Sequence, residues 1–134
     1  MTDRVFLDAN VLVSAAITPH SRLRDLWQAL DVRLLASPYV IAEARANVVD
    51  PASSNELEAL LRSVAVLPAE PVPVPFAEAL DLPEKDVPVL AGAVASGADA
   101  LLTGDLTHFG PLMGRRVAGV VILLPGEYLR GHIG

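Results

Sequence analysis

The sequence of 134 residues contains no cysteine, a single lysine and no apolar run long enough to cross a membrane. Without cysteine there are no disulfide bonds and no thiolate metal sites, so oxygen and imidazole groups remain as metal ligands. Charge or proline interrupts every apolar stretch before the roughly 18 residues that a spanning helix needs. The amino terminus also lacks a secretory pattern. We therefore expect a soluble, cytoplasmic protein that does not bind a membrane.

Several catalytic sequence motifs are missing as well. The sequence has no G-x-S-x-G, no P-loop and no G-x-G-x-x-G, which excludes the commonest signatures of serine hydrolases and nucleotide-binding folds. His20, His108 and His132 follow no metal-ligand or triad spacing, so we expect each to be a surface histidine. The net charge of −6 argues against nucleic acid unless a bound divalent cation reverses the local sign.

What the sequence does contain is acidic residues at the ends of apolar strands. One run of three apolar residues stops at Asp8, and a second stops at Thr103-Gly104-Asp105. Short apolar runs closed by polar groups are typical of buried strands. Open α/β sheets bind ligands at the carboxyl ends of their strands. Two parallel strands would therefore each bring an aspartate to one edge of a sheet.

Predicted strands and helices alternate along the chain. The strands are expected at 5–7, 33–36, 64–67, 100–102 and 120–124. The helices are expected at 21–31, from Ser37-Pro38 onward, from a capping box at Ser53, at 87–96 and at 127–130. A proline-rich connector spans 68–75, with one or two helical turns at 76–80. This order predicts one domain over residues 1–134, a three-layer α/β/α sandwich with a central parallel sheet of about five strands.

Two further acidic residues occupy positions from which they can reach the same edge. Asp86 precedes the wholly apolar helix 87–96, and Glu43 lies at the margin of an apolar helical stripe. Mg²⁺ and Mn²⁺ prefer oxygen ligands such as carboxylates. Sites of this kind activate water and neutralise charge during attack on phosphorus. Four acidic residues thus indicate a candidate site for a divalent cation.

Each of these residues also has an ordinary structural interpretation. Asp86 could be a simple helix N-cap, and Glu43 a solvated helix residue. Asp8 with Asn10 could form a strand-end turn, and Thr103 to Asp105 could start a loop. Spacing alone leaves both interpretations open.

Four segments resemble the PIN-domain nucleases, in the order expected for that family. Segment 7–15 (LDANVLVSA) resembles the opening motif, and segment 38–43 (PYVIAE) resembles the helix that carries the family's glutamate. Asp86, followed by segment 97–106 (GADALLTGDL) and Phe109, resembles the second acidic half. Segment 125–129 (PGEYL) resembles the closing segment.

The resemblance implies a PIN-like fold and a set of site residues. By it, Asp8, Glu43, Asp86 and Asp105 are catalytic, and Asp8, Asp86 and Asp105 hold Mg²⁺ or Mn²⁺, with Asn10 and Thr103 beside them. The compact type resembles toxin subunits of bacterial type II toxin–antitoxin pairs. It thus implies a metal-dependent endoribonuclease with an RNA substrate, an antitoxin partner and a homodimeric state.

The basic residues expected to bind RNA lie in helix or loop segments predicted to flank the acidic edge: Arg22, Arg24, Lys85, Arg115 and Arg116. Three alternatives remain: a PIN nuclease of RNA processing that is no toxin, a metal-free PIN-like binding module, and a phospho-accepting receiver domain built on Asp8, Thr103 and Lys85. The receiver is disfavoured because Lys85 precedes a helix rather than ending a strand.

Overall fold

The computed structural model describes residues 2–72 and 81–133, with side chains described up to residue 131. The helical turns expected at 76–80, the last part of the proline connector and the prediction for the His132 side chain lie outside this part. None of the helices in the described ranges has the length and hydropathy that a bilayer crossing requires.

Six strands form one sheet in the order β3-β2-β1-β4-β6-β5. They are β1 (Asp3–Leu7), β2 (Val32–Ala36), β3 (Ala65–Val66), β4 (Ala100–Leu102), β5 (Arg116–Val117) and β6 (Val120–Leu123). Every pairing is parallel except that of β5 with β6. The predicted α/β class with a parallel sheet is confirmed. The sixth strand arises because Ala118 (φ 49°) and Gly119 (φ 87°) form a two-residue turn of the left-handed kind that joins hairpin strands.

Helices connect the strands and cover both faces of the sheet, which gives the expected three layers. They are α1 (Ala9–Ile17), α2 (Asp25–Gln28), α3 (Pro38–Ala46), α4 (Pro51–Leu61), α5 (Val87–Ala95), α6 (Leu106–Phe109) and α7 (Pro125–Tyr128). Short 3₁₀ turns lie at Arg22–Arg24, Glu84–Asp86 and Gly110–Leu112, and Leu129–Ile133 is π-helical.

Three predicted helices have different bounds in the structure, and the last of them, expected at 127–130, is α7 at Pro125–Tyr128. The helix expected at 21–31 is a 3₁₀ turn followed by α2, and the chain becomes extended at Ala29. Leu26 is buried, whereas Leu30 is fully exposed, so the apolar stripe does not continue. The capping box at Ser53 is wrong because Asp50 is the N-cap of α4, and its side chain accepts a hydrogen bond from the Ser53 N–H at 3.0 Å. Proline at the first helical position reinforces that earlier start.

Helix α5 lies close against β1. A Cβ atom on Gly92 would lie 2.6 Å from Cζ of Phe6, whose ring is fully buried. Glycine therefore permits a helix-to-strand approach that any larger residue would prevent. This packing fixes the start of α5, and with it Asp86, relative to the end of β1.

The strand order defines one crevice. The chain runs from β1 outward through β2 to β3, then returns to place β4 on the other side of β1. Ligand sites in open α/β sheets lie where the strand order reverses, outside the carboxyl ends of the strands. That position here lies between the ends of β1 and β4, where the chain continues into Asp8 and Thr103.

Candidate active site

Asp8 follows β1 directly and is the N-cap of α1. Its Oδ1 accepts a hydrogen bond from the Ala9 N–H at 2.7 Å. Its Oδ2 accepts from the Thr103 hydroxyl at 2.8 Å and from the Asn10 amide at 3.2 Å. The side chain is buried, and both of its oxygens have partners. Asp8 therefore ties the end of β1 to the end of β4.

Asn10 and Thr103 extend this network to the loop after β4. Oδ1 of Asn10 accepts a hydrogen bond from the Gly104 N–H at 2.8 Å. Oγ1 of Thr103 accepts one from the Asp105 N–H at 3.1 Å. These bonds fix the backbone from which the Asp105 side chain projects, so the two strand ends form one connected unit.

Asp86 lies at the end of the 3₁₀ turn that leads into α5, and only 6% of its surface is exposed. It occupies the N-cap position of α5, but its side chain makes no capping hydrogen bond, so helix capping does not account for this carboxylate. Its Oδ2 is inaccessible to solvent and has no hydrogen-bond partner of acceptable geometry among the described residues. A buried carboxylate oxygen without a partner is energetically unfavourable unless a cation or a proton accompanies it.

Asp105 and His108 lie in a single helical turn. Oδ1 of Asp105 accepts a hydrogen bond from the His108 N–H at 3.1 Å, so Asp105 caps α6. Nδ1 of His108 lies 2.8 Å from Oδ2 of Asp105 and also 2.8 Å from Oδ2 of Asp86. The imidazole therefore stands between two carboxylates that come from different parts of the chain.

A cleft of about 400 Å³ is bordered by Asp8, Asp86 and Asp105, and Glu43 from α3 also lines it. Its lining contains all four predicted acidic residues, Asp8, Glu43, Asp86 and Asp105, together with Ala9, Asn10, Val13, Asn47 and Lys85. The Tyr39 hydroxyl donates a hydrogen bond to the Lys85 carbonyl at 2.8 Å, which connects α3 to the turn before α5. The fold therefore brings the four acidic residues to one cleft.

Burial, followed by neighbouring negative charge, raises the pKa values of acidic groups in and beside the cleft. Burial raises the pKa of Asp8, and the nearby Glu43 and Asp105 raise it further, against the lowering effect of its hydrogen bonds. Burial also raises the pKa of Asp86, while His108 opposes that rise. The pKa of Tyr39 is raised by burial and then by Glu43 and Asp86. All three groups favour their protonated forms more than they would in water.

A PIN-domain family model matches residues 4–107 of the chain, which includes every acidic residue of the cleft. The chain belongs to the PIN-domain family. This membership supports nuclease activity for the PIN domain described here. No curated protein sequence matches the chain.

Solved structures support the same fold. The PIN domain is similar to a chain in the crystal structure of VapBC2 from Rickettsia felis bound to a promoter DNA fragment, with a TM-score of 0.68 and 16% identity over 89% of this chain and 96% of that one. It is also similar to a chain of VapBC-1 from nontypeable Haemophilus influenzae, with a TM-score of 0.60 and 18% identity over 92% and 98% of the two chains.

The acidic half of the PIN site fits a divalent cation. Asp86, Asp105 and His108 each offer one ligand atom, and these atoms all lie within 4.8 Å of one another. The unpartnered Oδ2 of Asp86 is the kind of atom that a cation would satisfy. Carboxylate oxygens suit Mg²⁺ and Mn²⁺, and imidazole suits several transition metals.

The structure brings only one of the five predicted RNA-binding residues to this cleft. Lys85 lines it. Arg24 donates a hydrogen bond to the Ala15 carbonyl at 2.7 Å and pairs with Glu56 at 3.2 Å, so it lies beside the last turn of α1, whereas Asp8 caps the first.

The other three arginines also lie apart from the lining of the cleft. Arg22 follows α1 and is 3.5 Å from Asp25. Arg115 and Arg116 are exposed at the β5–β6 hairpin at the edge of the sheet. In this hairpin Arg116 is the strand partner of Val121, which itself lies beside the beginning of β4. A larger concavity of about 610 Å³ contains three further arginines but none of the acidic quartet; its lining includes Arg4, Arg33 and Arg62.

His108 is a candidate site residue that sequence reasoning missed. We expected a surface histidine, but its side chain is half-buried between Asp86 and Asp105. The local signal is the spacing Asp105-x-x-His108, which an N-capped turn folds onto one side. The second contact, to Asp86, depends on the packing of α5 and has no local signature.

Proposed function

We propose that this protein is a divalent-metal-dependent endoribonuclease that hydrolyses RNA phosphodiester bonds. The observation that carries the proposal is the convergence of Asp8, Glu43, Asp86 and Asp105 on one cleft at the switch point of a PIN fold. Four carboxylates in a partly buried cleft repel one another, and a cation relieves that repulsion. A site that binds a cation in this way is also suited to a phosphate substrate.

The proposed roles follow from the partners of each side chain. Asp8, Asp86 and Asp105 hold Mg²⁺ or Mn²⁺, which when bound would lower the pKa of a water molecule and neutralise charge on the phosphate. Asn10 and Thr103 keep Asp8 and Asp105 in place through their hydrogen bonds. Glu43 enters the cleft from α3, and it orients or deprotonates the attacking water.

We further propose that the protein is the toxin of a toxin–antitoxin pair and acts in the cytoplasm. In this proposal it forms a homodimer, and each chain contributes a single PIN domain. The structural similarity to chains of two VapBC complexes supports an antitoxin partner. Electrostatics suggests how such a partner inhibits: an arginine inserted into the cleft would pair with carboxylates through two hydrogen bonds and replace the cation.

RNA docking is proposed to use Lys85 at the cleft, with Arg22, Arg24, Arg115 and Arg116 as the remaining candidates. Lys85 is exposed and precedes Asp86 directly, so a phosphate beside the metal would lie within its reach. Since the guanidinium of Arg24 already has two partners within the fold, it is the weakest of the five candidates.

The decisive experiment is end-group analysis of RNA cut by the purified protein. Attack by a metal-activated water leaves a 5′-phosphate on the downstream product, whereas attack by the ribose 2′-hydroxyl leaves a 2′,3′-cyclic phosphate upstream. We expect the 5′-phosphate, loss of cutting in EDTA, and loss of cutting in Asp105→Asn but not in the exposed matched variant Asp81→Asn. A cyclic phosphate, or cutting in EDTA, would contradict the proposed mechanism.

A second experiment separates a toxin from a nuclease of RNA processing. Expression of the chain alone should arrest growth, the neighbouring gene should relieve the arrest, and Asp8→Ala should abolish it. RNA cutting without growth arrest would favour the processing nuclease. Absence of both cutting and cation binding would favour the metal-free binding module.

A further inference from the structure

The His108 ring lies against two of the carboxylates that line the cleft, those of Asp86 and Asp105. Its Nδ1 lies 2.8 Å from a carboxylate oxygen of Asp105 and 2.8 Å from one of Asp86. Nδ1 is inaccessible to solvent and has no hydrogen-bond partner of acceptable geometry within the described part of the chain. The same is true of Oδ2 of Asp86. Two buried ligand atoms therefore lie 2.8 Å apart without forming a hydrogen bond of acceptable geometry.

Local structure holds the ring in that position. The His108 N–H is bonded to Oδ1 of Asp105, and the next residue, Phe109, is fully buried. The turn is therefore anchored on both sides of the imidazole. Asp86 is anchored separately, because it begins a helix that is packed against β1.

Asp8 differs from Asp86 and His108 in its hydrogen bonding, and this difference affects which residues would bind an ion. Its two oxygens already accept hydrogen bonds from Ala9, Asn10 and Thr103. An ion that approached Asp8 would compete with those bonds or share an oxygen with them. An ion that approached Asp86 and His108 would instead bind atoms that now make no hydrogen bond of acceptable geometry.

We propose that Nδ1 of His108 is a ligand of the catalytic cation, together with carboxylate oxygens of Asp86 and Asp105. This inference rests on the proposed metal-dependent function and adds a nitrogen ligand to the all-carboxylate set carried over from the family. With Nδ1 facing the ion, the ring proton lies on Nε2. Metal-ligating imidazoles are neutral and carry their proton on the other nitrogen.

A nitrogen ligand has a consequence for metal preference. Imidazole binds Co²⁺, Ni²⁺ and Zn²⁺ better than it binds Mg²⁺, which prefers oxygen and keeps its water ligands. The wild-type site should therefore prefer Co²⁺ over Mg²⁺ more strongly than a site of carboxylates alone. Loss of the imidazole should reduce that preference rather than weaken all cations equally.

The direct test is pulsed electron paramagnetic resonance on the full-length protein loaded with Mn²⁺. A coordinated imidazole gives a nitrogen modulation of the Mn²⁺ signal, and labelling histidine with ¹⁵N changes it in a defined way. We expect this modulation in the wild type and in His20→Ala, whose histidine is exposed. It should vanish in His108→Ala and in His108→Asn, the second of which keeps a polar side chain should alanine impair folding.

Calorimetric titration with Co²⁺ and Mg²⁺ gives the second readout. In His108→Ala the Co²⁺ affinity should fall by roughly tenfold or more, and the Mg²⁺ affinity by much less. If Mn²⁺ binds without nitrogen modulation, His108 is not a ligand and only this inference fails. If no divalent cation binds to the wild type, the metal-dependent function fails with it.

Discussion

Replacement of Asp86 by asparagine should stabilise the protein when divalent cations are removed. Asp86 is buried, makes no capping bond to α5 and has an oxygen without a partner. It also faces Asp105, and ligand atoms of the two lie within 4.8 Å of each other. Asparagine has nearly the same shape but no charge, so Asp86→Asn removes repulsion without creating a cavity.

The magnitude follows from Coulomb's law. Two unit charges within 4.8 Å repel by about 3 kcal/mol at an effective dielectric of 20. This repulsion is reduced by solvent at the partly exposed Asp105 and by the nearby His108. We therefore expect a gain of about 1–2 kcal/mol in the free energy of unfolding. For a chain of this length that corresponds to a rise of roughly 3–8 °C in Tm.

The pH dependence has a definite sign. Since burial raises the pKa of Asp86 in the folded protein, its ionised form destabilises the fold at pH values above that raised pKa. The advantage of Asp86→Asn should therefore be full at pH 8, shrink as the pH falls through the raised pKa of the folded protein, and be absent below the ordinary value of 3.8. Saturating cation should reverse the order, because only the wild type gains the full binding energy.

Thermal unfolding in EDTA and in excess Mn²⁺ measures both effects. The matched control is Asp81→Asn, which removes one charge from an exposed residue with a φ of 56°, a conformation that asparagine adopts readily. If Asp86→Asn lowers the Tm in EDTA, the carboxylate is a structural group and the unrelieved repulsion does not exist. If Asp81→Asn raises the Tm equally, the effect is one of net charge alone.

Three further predictions concern packing and RNA docking. Gly92→Ala should destabilise the protein by about 1 kcal/mol in urea unfolding, because the clash with the buried Phe6 ring outweighs the gain in helix propensity. The control is Gly110→Ala, because a Cβ atom at Gly110 would have nothing within 4 Å. This control variant should be neutral or stabilising. Lys85→Ala should reduce the salt slope of single-stranded RNA binding by about 0.7. The Arg115→Ala, Arg116→Ala double variant should reduce it by about 1.4 if both contact phosphate, and an unchanged slope would remove the pair from the interface.

The positions of Asp8 and Asp105 were predictable because they depend on local pattern and sheet geometry. Each follows a short apolar strand, and parallel strands place their ends at one edge. The position of Glu43 at the margin of a helical stripe was also predictable, since the 3.6-residue period fixes which side of α3 it occupies. Whether it reaches a cleft depends on how α3 packs against its neighbours.

Other features depended on interactions that a sequence pattern does not contain. The stripe of Leu23, Leu26 and Trp27 fits a longer helix, but the chain must leave α2 at Ala29 to enter β2, and Leu30 is left in solvent. The capping box expected at Ser53 is wrong because Asp50, followed by proline at the first helical position, starts α4 earlier. The contact of His108 with Asp86 joins residues separated by helix α5, strand β4 and the loops beside them, so only tertiary packing creates it.

The candidate site has two halves that differ in whether their polar atoms make hydrogen bonds. In one, Asp8, Asn10 and Thr103 satisfy one another and the surrounding backbone, so this half needs no ligand to complete its hydrogen bonds. In the other, Asp86 and His108 present buried atoms that lie 2.8 Å apart but make no hydrogen bond of acceptable geometry among the described residues. A fold tolerates such atoms only when packing elsewhere compensates, here through the buried apolar residues of β1 and β4 and the close contact of Gly92 with Phe6. The first half thus positions the site, and the proposed cation would satisfy the atoms of the second half.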